Sequence, residues 1–159
     1  MISHLGYKHD TAQLLCRVGD AIWQMGVPDQ RFSMLYVRVD PETGEGEVAS
    51  SGQFAAIVGS RHGHRPLVSP DGRPLGTDFE TTSNRNRFQL QEGECLLVRN
   101  AAFLSGRGSD AVGRSLRDGL QSGSIQPLAR VRRFICGDAA PTSERAAATL
   151  LRRSPGGSR

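Results

Sequence analysis

The stretch that decides the architecture is Arg31–Gly52, "RFSMLYVRVDPETGEGEVASSG". Its first ten residues, rich in β-branched and aromatic side chains, read as a strand. In "PETGEGE" the ring of Pro41 presets φ for a turn, and Gly44 tolerates a positive φ. "EVASSG" brings the chain back, and "QFAAIVGS" (53–60) continues it with apolar residues at consecutive positions. This pattern predicts a hairpin meander of antiparallel strands.

Upstream, residues 10–25, "DTAQLLCRVGDAIWQM", predict a helix. Asp10 is its N-cap, Gln13 completes a capping-box spacing, and Leu14, Val18, Ile22 and Met25 recur on one face. Trp23 reads as a partly buried packing residue. Gly26 and Pro28 stop the helix.

Downstream, "RHGHRPLVSPDGRPLG" (61–76) reads as loop. Arg87–Leu90 and Cys95–Val98 predict two strands about a Glu92–Gly93 turn. A helix starting at Ser109 or Asp110 places Val112, Leu116 and Leu120 on one face and ends at Gly123. Pro127 opens another, with Leu128, Val131 and Ile135 inward and Gly137 at its end. Residues 146–151 predict a closing strand, and 154–159 a frayed tail. The order is helix, meander, two helices, strand, so the fold class is α+β and not a βαβ repeat. One domain spanning 1–153 is expected.

The totals exclude several classes. A chain of 159 residues, 37% hydrophobic, holds one real core. No apolar run approaches the ~20 residues of a membrane helix, and the start has neither the basic nor the apolar region of a signal peptide. Cys16, Cys95 and Cys136 are odd in number and widely spaced, which suits a reduced, cytoplasmic protein better than a disulfide framework. The net charge is +4. Lys8 is the single lysine, and the arginines, including Arg130, Arg132, Arg133, Arg152 and Arg153, lack interleaved aromatics, so they read as solvated charge. His62 and His64 make at most half a metal site, because no third ligand has a matching spacing. "GRGSDAVG" (106–113) precedes a helix but fits neither the dinucleotide fingerprint nor the P-loop.

Read together, three stretches resemble the SpoIIE-type branch of the PPM (type-2C) metal-dependent protein serine/threonine phosphatases. "RFSMLYVRVDPETGEGEVASSG" is similar to that family's aromatic-rich strand, Asp-Pro-x-Thr-Gly turn and return strand. "GRPLGTDFETTSNRNRFQLQEGECLLVRNAAF" is similar to its Gly-x-Pro-Leu-Gly segment followed by a strand and Gly-Asp-x-Leu-Leu-Leu-Tyr-Thr-Asp-Gly. "SERAAATLLRR" resembles its closing Asp-Asp-Arg stretch. The resemblance implies an antiparallel β-sandwich flanked by helices, N-terminally truncated here, since the match covers the C-terminal part of the family domain. It also implies a chemistry. Active members hold two Mg²⁺ or Mn²⁺ ions on aspartates, and a bridging water attacks a phosphoserine or phosphothreonine. Hard divalent ions want oxygen ligands, and carboxylates offset their mutual repulsion.

Carried over residue by residue, the family's first metal aspartate, in Gly-Asp-x-x-Gly-His-Gly, has no counterpart here. The second falls on Asn100, between Arg99 and Ala101, and the third on Ser143-Glu144. Asn100 and Glu144 are therefore the vestigial metal-ligand positions. No catalytic or metal residue is expected to be retained, and no cofactor is expected. The reading that follows is a catalytically silent relative that binds a regulatory protein, with an anti-sigma-factor antagonist as the implied partner in partner-switching signalling. Sheet edges left by the shortened domain suggest a homodimer or a complementary N-terminal half. Two other readings stay open: an active phosphatase completed by another chain or an upstream segment, and an arginine-rich nucleic-acid-binding module.

Overall fold

Asp10 sets the first element. Its carboxylate accepts hydrogen bonds from the N–H groups of Ala12 (2.8 Å) and Gln13 (3.4 Å), so the helix starts where the capping pattern placed it. In this computed structural model, which describes residues 10–26, 31–78, 83–100, 109–123, 127–136 and 148–153, the elements in chain order are α1 (Thr11–Gln24), β1 (Met34–Val39), β2 (Glu45–Ser51), β3 (Phe54–Gly59), β4 (His64–Val68), β5 (Asn84–Gln89), β6 (Cys95–Asn100), α2 (Ser109–Gln121), α3 (Pro127–Cys136) and β7 (Ala148–Arg152). They divide between two compact units, one of Met1–Phe54 with Ser69–Gln89, the other of Ala55–Val68 with Leu90–Arg159.

The first unit is an antiparallel sheet of order β1-β2-β5 with α1 lying across its three strands. At the β1–β2 turn the Asp40 side chain accepts from the N–H groups of Glu42 (2.8 Å) and Thr43 (3.2 Å), and Gly44 takes φ 76°. This is the turn the Pro41–Gly44 chemistry predicts. Gly46 faces Phe88 across the β2–β5 ladder. A Cβ there would stand 2.4 Å from the ring, so the aromatic lies directly on glycine backbone. The buried stripe of α1 is Thr11, Leu15 and Gly19, with Leu14, Val18 and Ile22 half-buried. It runs one residue round from the expected face. Trp23 (48% exposed) and Met25 (61%) take little part in packing.

Glu47 on β2 ties the helix to the sheet. It is buried, yet its Oε1 accepts from the Thr11 hydroxyl at 2.6 Å and from the Thr11 N–H at 3.2 Å. Its Oε2 lies 4.0 Å from Arg38, 3.9 Å from Arg85 and 3.7 Å from Arg87. A carboxylate at the first N–H of a helix also meets the positive end of the macrodipole. Arg85 reaches on to the capping carboxylate of Asp10.

The second unit is an antiparallel sheet of order β4-β3-β6-β7 carrying α2 and α3. Two expected pairings are not formed. The meander stops at Gly52 (φ 83°), because β3 pairs with β4 and not with β2. Likewise β5 pairs with β2 while β6 pairs with β7, so no hairpin forms about Gly93. Ala55 through Val58 and Cys95 through Leu97 are almost wholly buried. Strands covered on both faces read as continuous apolar runs, and such runs do not reveal which sheet they join. The supposed loop at 61–76 contains β4, a sheet-edge strand where the missing N–H of Pro66 is tolerated.

Val112, Leu116 and Leu120 of α2 and Val131 of α3 pack with Ile57, Cys95 and Leu97 into one core. The side chain of Ile135 and the 154–159 tail lie outside the described residues. α2 lies close on the sheet at Gly59, where a Cβ would stand 2.6 Å from Leu116 Cδ2. Gly59→Val is accordingly expected to cost about 1–3 kcal/mol by overpacking, read as a lower denaturant midpoint at unchanged slope.

Candidate functional site

The strand that delivers the family-like position is β6, and its start is firmly held. Gly93 turns with φ 81°, and its N–H donates to the Arg153 carbonyl while the Arg153 N–H donates to the Glu94 carbonyl. The Glu94 carboxylate takes a forked pair of bonds from Arg65 (2.9 and 3.3 Å) and one from the Gln91 N–H (3.0 Å). Burial alone pushes the Glu94 pKa up. The Arg65 hydrogen bonds, the Gln91 N–H and the Arg65 charge outweigh it and hold the carboxyl below the usual range. Glu94 is thus a clamp on the turn.

Along β6, Cys95 and Leu97 enter the core beneath α2. The Cys95 thiol donates to the Gly59 carbonyl at 3.5 Å, and burial raises its pKa to about 11, so it offers no thiolate at neutral pH. Arg99 follows on the same face with 1% exposure, and burial pulls its pKa down. Asn100, half-buried, ends the strand. The sequence reading placed Asn100 at the strand tip, and it is there. Counted without a gap from Gly93-Glu94, the family motif puts its aspartate on Ala101, one residue further and outside the described residues. Neither residue carries a charge. Glu144 also lies outside the described residues.

His62 and His64, which the sequence places in one loop, part company. Ser60 Oγ accepts from the N–H groups of His62 and Gly63 and forms the turn. His64 begins β4, with its ring against Gly113 and its Nε2 3.4 Å from Asp110 Oδ1 on α2. The His64–Asp110 contact joins helix to sheet edge. Among the described residues no three His, Cys, Asp or Glu side chains converge as a metal site. Within that set, the donors do not fit a pair of divalent ions: β6 ends in an amide, one residue past a buried guanidinium.

A third constellation escaped the sequence reading. Ala111, Arg114, Ser115 and Asp118 form one stripe of α2, and with Arg130 and Arg133 of α3 they line a groove of about 390 Å³. The i, i+3, i+4, i+7 spacing was visible in α2, but nothing local shows that α3 brings two more arginines opposite it.

Antiparallel sheets carrying helices in this order define a PPM-phosphatase-like fold, and solved structures share it. The RsbU and RsbW domains of a Mycobacterium tuberculosis protein match over 97% of this chain and 45% of that one, at 14% identity and a TM-score of 0.68. RsbX in complex with magnesium matches over 86% of this chain and 62% of its own, at 12% identity and 0.60. The phosphatase domain of the cell fate determinant SpoIIE from Bacillus subtilis, presoaked with manganese, matches over 96% and 69%, at 12% identity and 0.56. The chain spans less than two thirds of the first two. Residues 3–99 match the model of the family described as Stage II sporulation protein E (SpoIIE), and the chain belongs to that family. No curated protein matches it.

These matches correct one expectation. The absence of any cofactor does not follow for a chain of this family, because RsbX was solved with magnesium and the SpoIIE phosphatase domain was presoaked with manganese. Beyond the first aspartate of the resemblance, which has no counterpart, the expectation of metal independence rests on two ligand positions. One of those is Asn100, where the family match has already ended at Arg99. The other, Glu144, is not described. No described helix is long and apolar enough to cross a membrane.

Proposed function

We propose that this chain is a SpoIIE-like phosphatase domain that acts by binding a regulatory protein, with phosphate-ester hydrolysis silent. The observation that carries this reading is the end of β6, where a buried Arg99 is followed by the neutral Asn100. Two divalent cations about 4 Å apart repel by roughly 16 kcal/mol at an effective dielectric near 20. Carboxylates offset that repulsion and let a bridging water become a nucleophile. An amide oxygen can ligate an ion but supplies no charge. The proposal concerns turnover, not occupancy: magnesium or manganese, where bound, would bring the water-activating chemistry of the relatives, and Asn100 and Glu144 are the oxygen-bearing side chains nearest in pattern to its ligands.

The family extension for the partner is an anti-sigma-factor antagonist. A titration of the chain with such a protein, in phosphorylated and unphosphorylated forms and in the presence of Mn²⁺, tests both halves of the reading. The expected result is saturable binding with the phosphate retained, alongside p-nitrophenyl phosphate hydrolysis that does not rise on adding Mn²⁺. Manganese-dependent release of phosphate from either compound would defeat it.

A further inference from the structure

We propose that the α2–α3 groove is a binding site for a phosphate monoester group, separate from any metal chemistry. Three guanidinium groups, Arg114, Arg130 and Arg133, line it against one carboxylate, Asp118. Asp118 is already engaged by Arg117 at 3.2 Å. Among the described residues, the ion pairs bring no carboxylate within 4.0 Å of Arg114 or Arg130. Like charges gathered on two facing helices repel one another, and an anion between them removes that penalty.

The walls are placed by packing. A Cβ built at Gly119 would stand 3.5 Å from Arg130 Cδ and 3.6 Å from Pro127, ordinary contact distances, so α3 and the Arg130 stem pack directly beside α2 there. Arg130 Nη1 donates to Ser122 Oγ at 3.1 Å, which orients the guanidinium and leaves most of its five donors for a ligand. The buried Ser115 adds a hydroxyl to the lining.

The chemistry of the ligand follows from the donors. Arginine forks bind phosphate and carboxylate oxygens in pairs, and forks approaching from two walls suit a tetrahedral dianion better than a planar monoanion. A volume of about 390 Å³ lies at the small end of ligand pockets, enough for a phosphate ester and its first few atoms. The source is either a small phosphorylated metabolite or a phosphorylated side chain of a partner.

The test is calorimetric titration of the full chain in EDTA, which removes divalent ions and keeps the result independent of the hydrolysis reading. The probes are inorganic phosphate, O-phosphoserine and a serine-phosphorylated peptide. All three are expected to bind, O-phosphoserine and the phosphopeptide more tightly as pH rises through the phosphoserine second pKa of about 6. The double variant Arg114→Gln with Arg130→Gln should weaken binding by about tenfold or more. Arg130→Lys, which keeps the charge and loses the fork, should weaken it several-fold. Arg17→Gln on α1 should leave it unchanged. Both groove arginines are exposed, so circular dichroism should show the variants folded. A peptide that binds more tightly than phosphoserine marks a side chain as the source, and equal affinities mark a free ester. No heat at about millimolar phosphate, or equal binding by wild type and the double variant, overturns the proposal.

Discussion

Leu116→Ala should lower the unfolding free energy of this chain by about 2–5 kcal/mol, a large share of the 5–15 kcal/mol typical of a domain. Leu116 is fully buried at the centre of the cluster formed by Ile57, Cys95, Leu97, Val112, Leu120 and Val131. Truncation removes the transfer free energy of the lost atoms and leaves a void. The void is hard to refill, because the surface beneath Leu116 is the bare backbone of Gly59, with no side chain to relax upward. Leu116→Met keeps the volume and should cost less than about 1.5 kcal/mol. Guanidinium unfolding measures both, and hydrogen exchange should show α2 amides losing protection before those of β6. A loss below about 1 kcal/mol for the alanine variant would mean that α2 is not docked where the core places it.

The features legible in the sequence are those set locally. Asp10, the Pro41–Gly44 turn, Gly123 and Pro127 carry their own backbone chemistry, and α1, the β1–β2 hairpin, α2 and α3 appear where that chemistry puts them. Sheet membership was not legible. Residues 55–58 and 95–97 are apolar without alternation, so nothing in them distinguishes pairing with the preceding strand from crossing to another sheet. β4 was hidden by Pro66 and two histidines, which resemble loop composition until the strand is known to lie at an edge.

The charged sites divide the same way. Asn100 was placed at a strand tip because the apolar run before it fixes where the strand ends. The arginine groove needed two helices to meet, and neither helix alone shows in one dimension that Arg130 and Arg133 come opposite Arg114. Glu47 was invisible for a related reason. A glutamate in an alternating strand reads as solvent-facing, yet here the first turn of α1 and three arginines from β1 and β5 close over it.

Glu47→Gln should be the most costly of the isosteric charge changes in the first unit, at about 1.5–3 kcal/mol near neutral pH. The amide keeps the size and one acceptor for the Thr11 hydroxyl. It loses the charge that faces the α1 N-terminus and the guanidinium groups of Arg38, Arg85 and Arg87. Burial by itself pushes the Glu47 pKa up, but the Thr11 hydroxyl, the Thr11 N–H, Arg85 and Arg38 together hold it below the ordinary carboxylate range. A carboxyl with a depressed native pKa binds its proton more readily in the unfolded chain, so stability rises with pH through that interval. The contribution is fully present above the unfolded value of about 4.3 and is lost as pH falls through the lower native value. Urea midpoints for wild type and Glu47→Gln should therefore differ most near pH 7 and converge only as pH falls through the lowered native value. Glu94, also held below its usual range, is present in both proteins and drops out of the difference. Parallel curves across that interval would show that Glu47 acts through shape alone, and that the three arginines and the helix end draw nothing from its charge.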